Sequence, residues 1–248
     1  MENINNSYFD GYYKDIWRTL IPAGLTVKET DFILQYFNLQ PGNNVLDLMC
    51  GYGRHTIALG KMGISVTAVD NLPDYIKEIN DTAEKEYLPV KTFQGDIIHF
   101  HTTDIFDLAL CMGNSLNFFN AADTVSLLST VAKNLKEKGR ILINTWSLAE
   151  IAIKSFTANS WSTIAGMKFL TSSKYLFHPT RIESESIIIA PDGTTETKTA
   201  IDYIYSVSEM ESMLKESGFA MKEIYSIPGR KKFTLGDPRA YIVAEKLQ

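Results

Sequence analysis

Three observations predict an α/β fold, a doubly wound and mostly parallel seven-stranded sheet with an antiparallel final strand and a β-rich insertion. Short apolar runs alternate with helical patterns between Val45 and Trp146, an order that calls for parallel strands wrapped on both faces. A glycine-rich turn, Gly51-Tyr-Gly53, joins the first of those runs to a helix. Beyond residue 180 the alternation gives way to paired β-rich segments and a closing strand pair, which can add an antiparallel strand to a parallel sheet.

The elements follow in order. A first helix is centred on Tyr12, Tyr13, Ile16 and Trp17. A second runs from Val27 to Phe37, with Phe32, Ile33, Tyr36 and Phe37 as its apolar stripe. Pro41-Gly42 breaks the chain before a strand over Val45–Met49. A helix from His55 to Met62 stops at Gly63, and Ser65–Val69 is the next strand. Pro73 suits the first turn of a helix that sets Ile76, Ile79 and Ala83 on one face. Val90–Phe93 and Asp107–Met112 are expected strands. Asp123 is expected to cap a helix carrying Leu127, Leu128, Val131 and Leu135, ended by Gly139. Ile141–Trp146 is the fifth strand. Residues 181–190 and 195–205 form a hairpin about Pro191-Asp192-Gly193. Ser206 and Glu209 make a capping box for a helix with Met210, Met213 and Leu214, closed by Gly218. Strands at Ala220–Ile227 and Ala240–Glu245 come last.

With 248 residues, 45% of them apolar and 21% charged, the chain can bury the core of one soluble domain. No repeat, low-complexity tract or Gly/Ser linker divides it. The expected division is a helical cap over 1–40, a ligand-binding core over 41–146, an insertion over 147–205, and a C-terminal helix with closing strands over 206–248. A net charge of −5 offers no broad attraction to phosphate backbones, so no nucleic-acid partner is expected. No apolar stretch approaches a membrane span, and Met1 to Tyr8 is too polar for a signal peptide. Cys50 and Cys111 lie in apolar runs, as reduced packing thiols of a cytoplasmic protein do. A monomer or a homodimer is expected.

Chemistry concentrates in Val45-Leu-Asp-Leu-Met-Cys-Gly-Tyr-Gly-Arg54 and in Val66-Thr-Ala-Val-Asp70. Glycines at 51 and 53 let main chain approach a ligand that a side chain would keep away. The helix that follows aims its free amides and positive dipole end at the same place. Asp70 ends the second strand about 20 residues on, where folds of this kind set an acid against ribose hydroxyls. A nucleoside-bearing ligand is the natural reading. The dinucleotide fingerprint G-x-G-x-x-G fails, because Thr56 holds its third position. His99 and His101 alternate on an extended stretch with no Cys or third His near, which suits a solvated edge, and no metal site is expected. Arg230-Lys-Lys232 suits a solvated loop.

These landmarks resemble the class I S-adenosylmethionine-dependent methyltransferases over roughly residues 40–248. Asp47 through Gly53, with Arg54 and His55, is similar to the family's first motif, and Asp70 to its second. Gly95-Asp96-Ile97 matches the third, and Phe106-Asp-Leu-Ala-Leu-Cys-Met112 leading into Gly113-Asn114-Ser115 the fourth. One position departs: Met49 stands where the family usually has a further glycine. The resemblance implies S-adenosylmethionine as cofactor, with Gly51 and Gly53 along its methionine part and Asp47 serving its ammonium. It implies Asp70 on the ribose, Asn71 beside it, and Leu72 on the adenine. Asp96 would accept from the adenine amino group, and the Ile97 amide would donate to a ring nitrogen. The backbone at Cys111, Met112 and Gly113 would approach the methionine end, and Tyr13 and Trp17 would cap the cofactor from the N-terminal helix.

The fourth motif differs from the Asn/Asp-Pro-Pro-aromatic sequence of methyltransferases that act on base amines or protein glutamine. Gly113-Asn114-Ser115 is instead similar to small-molecule N-methyltransferases. The resemblance therefore implies a small-molecule methyl acceptor, reacting at N or O. Candidate acceptor-side groups are Asn114, Asn117, Trp146, Tyr175, His178, Arg181 and Tyr203. The alternatives are a regulatory protein that binds the cofactor without catalysis, and a methyltransferase of RNA or protein.

Overall fold

The computed structural model describes residues 3–247. In chain order, α1 (Tyr13–Leu20) and α2 (Leu25–Tyr36) precede β1 (Asn44–Leu48), α3 (Arg54–Lys61), β2 (Ser65–Asp70) and α4 (Pro73–Glu86). Next come β3 (Val90–Gln94), β4 (Phe106–Cys111), α5 (Ala121–Lys133) and β5 (Leu135–Thr145). Then α6 (Ala149–Ser155) leads into β6 (Asn159–Ile164), β7 (Met167–Phe177), β8 (Thr180–Ile189) and β9 (Thr195–Tyr203). Finally α7 (Val207–Glu216), β10 (Phe219–Ile227), β11 (Lys231–Lys232) and β12 (Ala240–Lys246) close the chain.

The main sheet has the order β11-β10-β12-β5-β4-β1-β2-β3. It is parallel from β5 to β3, and β12 runs antiparallel to both of its neighbours. Alternation along β1 shows why both faces are covered. Leu46 and Leu48 turn toward Leu127, Leu128 and Val131 of α5 and Met210 and Leu214 of α7. Val45 turns the other way, onto Phe32 and Ile33 of α2 and Leu59 of α3. Strands apolar on both sides belong in the middle of such a layered sheet. After β1 the chain builds outward through β2 and β3, then crosses back to β4. That reversal opens a crevice at the carboxyl ends of β1 and β4, the usual ligand position in open α/β sheets.

Four details correct the sequence expectations. An eighth strand, the two-residue β11, pairs with the outer edge of β10. The cap of α5 is Asn120, whose Oδ1 accepts from the Asp123 amide at 3.0 Å; Asp123 itself sits inside the first turn. The helix stops at Lys133, and Leu135 already belongs to β5, with Lys138 at a positive φ of 57° beside Gly139. Asn134 explains the early stop, since its side chain donates to the Thr102 and Asp104 carbonyls and draws the chain out of the helix. Lastly, the insertion is a four-stranded antiparallel sheet, β6-β7-β8-β9, where a single hairpin was expected. The stretch from Lys168 to Lys174 is rich in Lys, Ser and Thr and alternates exposed with half-buried positions, so no apolar run marked β7. Among the described residues no helix is long and apolar enough to cross a membrane.

Candidate functional site

The floor of the crevice is a tight turn between β1 and α3. Met49, Gly51 and Gly53 all take left-handed φ values, 51°, 57° and 74°. Met49 therefore holds the backbone shape of the glycine expected there, at a steric cost of roughly 1–2 kcal/mol for a residue with a Cβ. A Cβ built on Gly51 meets nothing within 4 Å, whereas one on Gly53 would lie 2.5 Å from Ile79. Gly53 is thus needed for packing α3 against α4, and Gly51 leaves open space over the turn. The Gly51 amide donates to Asp70 Oδ2 at 2.8 Å, and the Leu72 amide donates to Asp70 Oδ1 at 3.0 Å. These bonds fix the carboxylate at the lip of β2.

Asp47 lies deeper, only 2% exposed, and accepts from Thr56 Oγ1 at 2.6 Å. Burial pushes the Asp47 carboxyl upward, countered by nearby His55, Thr56 and Arg54. Burial likewise raises Asp70, countered by the Leu72 and Gly51 amides. Two acids sharing one desolvated recess favour a cationic ligand there. On the β3 side, Asp96 accepts from the Ile98 amide at 3.0 Å and starts a short 3-10 turn containing buried Ile97. Asn71, Leu72, Asp96, Ile97, Met112 and Gly113 all line the crevice with Asp47, Gly51 and Asp70. Cys111 does not: it is fully buried on β4, and burial pushes its thiol up to about 12. Cys50 borders the crevice with its thiol raised well above the usual range by burial, so neither cysteine is primed as a nucleophile.

The roof comes from the N-terminus. Asn3, Asn5, Asn6, Phe9 and Trp17 line the same crevice. Asn5 accepts from the Ile201 amide at 2.9 Å and donates to the Ile201 and Phe118 carbonyls. Asn71 donates to the Asn6 carbonyl at 2.8 Å, and Tyr75 to the Phe9 carbonyl at 3.2 Å. Arg18 lies over the Tyr52 ring at 4.6 Å, tying α1 to the glycine turn. Trp17 covers Gly113, but Tyr13 faces away into a cluster with Tyr8, Met167 and Ile188 under the insertion sheet. Phe9, in the turn ahead of α1, takes the place expected of Tyr13. No helical periodicity marked it.

Most acceptor-side candidates are employed elsewhere. The Asn114 side chain accepts from Thr145 Oγ1 and the Trp146 and Ser147 amides, and donates to Ser147 Oγ and Asp202 Oδ1. Asn117 accepts from Thr145 Oγ1 and donates to the carbonyls of Ser147 and Tyr203. Both are buried joints between β4, β5 and β9. Burial pushes the neighbouring Asp202 carboxyl up to about 6, despite hydrogen bonds from Ser147 and Asn114. Tyr175 packs on Phe156 and Phe177, and His178 is exposed at the β7–β8 turn. Arg181 pairs with Glu183 at 2.8 Å, and Tyr203 packs on the main core. None of these four lines the crevice. Trp146 alone stands close, in a cavity of about 260 Å³ that shares Trp17, Arg54 and Gly113 with the crevice.

Beneath the turn lies a buried joint that sequence reasoning missed. Glu29 of α2, 1% exposed, accepts from Arg54 at 2.5 Å, meets His55 Nε2 at 3.0 Å and accepts from the Tyr241 hydroxyl at 2.6 Å. Burial opposes its ionisation, but His55, Arg54 and Tyr241 hold its carboxyl at about 2. Arg54 and His55 thus support the turn from below. An acid on an otherwise amphipathic helix carries no signal of burial.

The acid-floored crevice stands at the strand reversal of the sheet, the usual ligand position of open α/β folds. Comparison with known proteins sharpens this. Residues 45–139 match the family model described as a methyltransferase domain. A Geobacillus sp. (strain WCH70) protein bearing a methyltransferase name is 23% identical over 218 residues, covering 86% of this chain and 88% of that one. The glycine/sarcosine N-methyltransferase of Aphanothece halophytica is 24% identical over 147 residues, 58% of this chain and 55% of that protein. The match thus spans about half the length of that relative. The crystal structure of an S-adenosylmethionine-dependent methyltransferase from Clostridium acetobutylicum superposes with a TM-score of 0.82 at 18% identity, covering 95% of this chain and 96% of that one. Residues 45–139 are thus similar to a methyltransferase domain, and the fold of the whole chain is that of the S-adenosylmethionine-dependent methyltransferase it superposes on.

Proposed function

We propose that the chain transfers a methyl group from S-adenosylmethionine to nitrogen or oxygen of a small molecule. The cofactor's fit rests on two observations: open space over Gly51, where a Cβ would intrude, and two desolvated carboxylates for a ligand with ammonium and sulfonium charge. In this reading Asp70 holds the ribose hydroxyls beside Asn71, and Asp47 serves the ammonium. Leu72 and Ile97 flank the adenine, and Asp96 accepts from its amino group. Met112 and Gly113 border the methionine end under Trp17 and Phe9. When bound, the cofactor supplies an electrophilic methyl group on its sulfonium.

The chain's own work is then to orient an acceptor and exclude water, and positioning alone can supply about 7–11 kcal/mol. Residues 147–205 act as the acceptor-side roof of one methyltransferase domain, with 1–40 as its cap. The observation that carries the acceptor class is the cavity of about 260 Å³ joined to the crevice at Gly113. That volume suits a metabolite, being below the roughly 300–1,000 Å³ of drug-sized sites. The N-methyltransferase name of one relative supports nitrogen as acceptor, and the net charge of −5 speaks against RNA. The test is turnover of cofactor labelled in its methyl group, offered with a panel of small amines, amino acids and phenols, and separately with total RNA. Label is expected in a small-molecule product. Label found only in precipitated RNA overturns the reading.

A further inference from the structure

We propose that the cavity beside the crevice selects acceptors that carry a carboxylate, and that Arg239 is the group that receives it. This deepens the methyl-transfer reading and rests on it. The cavity is walled by Trp17 and Trp146, whose ring centroids stand 6.1 Å apart at 43°. Its lining includes two arginines, Arg54 and Arg239, and no Asp, Glu or Lys. That is a marked local excess in a chain of net charge −5.

The two arginines differ in what they already hold. Arg54 is committed to Glu29 at 2.5 Å and to Thr26 Oγ1 at 3.3 Å. Arg239 forms no ion pair among the described residues, and Asp237 of its own loop is taken by Lys231. Its neighbour Tyr241 donates its hydroxyl to Glu29, so that acid is also occupied. Arg239 is half-buried beside the Tyr241 hydroxyl, and a guanidinium that holds no carboxylate keeps its planar fork available to match a carboxylate edge.

Arg239 is also held in place. It directly precedes β12, where the Ala240 carbonyl accepts from Asn144 Nδ2 at 3.1 Å. The same Asn144 side chain accepts from the Gly113 amide at 3.3 Å. One asparagine therefore links the loop bearing Arg239 to the point where cavity and crevice meet. An acceptor anchored at Arg239 alongside the paired indoles would present its other end toward Gly113, the side where the reading places the methyl group. One free guanidinium favours one negative charge, a carboxylate over a phosphate.

The experiment follows the indole NMR signals of Trp17 and Trp146 during titration with acetate, with and without S-adenosylhomocysteine. Ethylammonium chloride and inorganic phosphate serve as the other probes. Acetate is expected to shift both indole signals saturably, and Arg239→Gln to weaken that binding by about 10-fold or more. Arg239→Lys should restore part of it, because charge returns without the fork. Absence of a saturable acetate shift, equal binding by Arg239→Gln, or tighter binding of phosphate than acetate overturns the proposal. The same titration separates the two readings. Acetate binding without cofactor affinity sinks methyl transfer alone, and turnover confined to uncharged amines, with no acetate site, sinks the carboxylate pocket alone.

Discussion

The floor of the crevice and its roof are held by different kinds of contact. In the floor, Asp70 is fixed by amides 19 and 2 residues away, just past the ends of two strands locked in parallel register. In the roof, Asn5 reaches Phe118 and Ile201 across 113 and 196 residues, and Lys198 returns to Ser7 and Asp10. A cradle at two strand ends can thus be written in a few adjacent residues. The cover over that cradle depends on the whole fold. Floor changes should therefore register first in cofactor affinity, and roof changes in local opening.

The strongest challenge to that division is Glu29, a long-range joint lying under the local turn. Glu29→Gln leaves Arg54 and His55 without their buried carboxylate, and the fold should lose about 3–5 kcal/mol in a denaturant titration. The folded carboxyl sits at about 2, below its unfolded value, so its contribution is present above roughly pH 4.3 and fades as pH falls toward 2. Wild-type and variant stabilities should converge in that window. A loss below 1 kcal/mol at neutral pH would remove Glu29 from the account of how the turn is supported.

Asn5→Ala tests the roof itself. It strips one acceptor and two donor contacts from buried backbone, a loss of about 1–3 kcal/mol. Amide exchange should speed up at Ile201 while the Gly51 amide keeps its protection. Equal acceleration at both sites would mean that floor and roof open as one unit.

Asp202 gives a smaller effect with a distinctive sign. Its folded value of about 6 exceeds the unfolded carboxylate value of about 3.9, so its stabilising contribution is complete below about pH 4 and lost as pH rises through 6. Melting temperatures of the wild type should therefore fall, relative to Asp202→Asn, between pH 4 and 6. A flat difference across that range would contradict the burial argued for this acid. The smallest change is Met49→Gly. Relief of the left-handed backbone is partly offset by the freer unfolded chain, leaving a gain of about 0.5–1 kcal/mol. Thermal denaturation would register it as a rise of a few degrees, and a fall would show that Met49 packing outweighs its strain.

What the sequence disclosed follows the same line. Asp47, Gly51, Asp70 and Asp96 were legible because strand ends and turns carry local signals, and the structure gathers all four in one crevice. The capping box at Ser206 and Glu209 was legible for the same reason. Phe9, Asn5 and Glu29 were not, since each owes its position to partners far along the chain. Asn114 and Asn117 misled: polar residues after a strand look available until their partners on β5 and β9 are known. Tyr175 and Arg181 line neither the crevice nor the cavity beside it, because the sheet they stand on lies away from both.

The measurement closest to the centre is calorimetric titration of the wild type and of Asp70→Ala with S-adenosylhomocysteine, supported by circular dichroism of both. Saturable binding is expected for the wild type, with affinity lowered about 10- to 100-fold in the variant and an unchanged spectrum. Binding of equal strength by both proteins would contradict the assignment of the β2 carboxylate, and with it the cradle described for the cofactor.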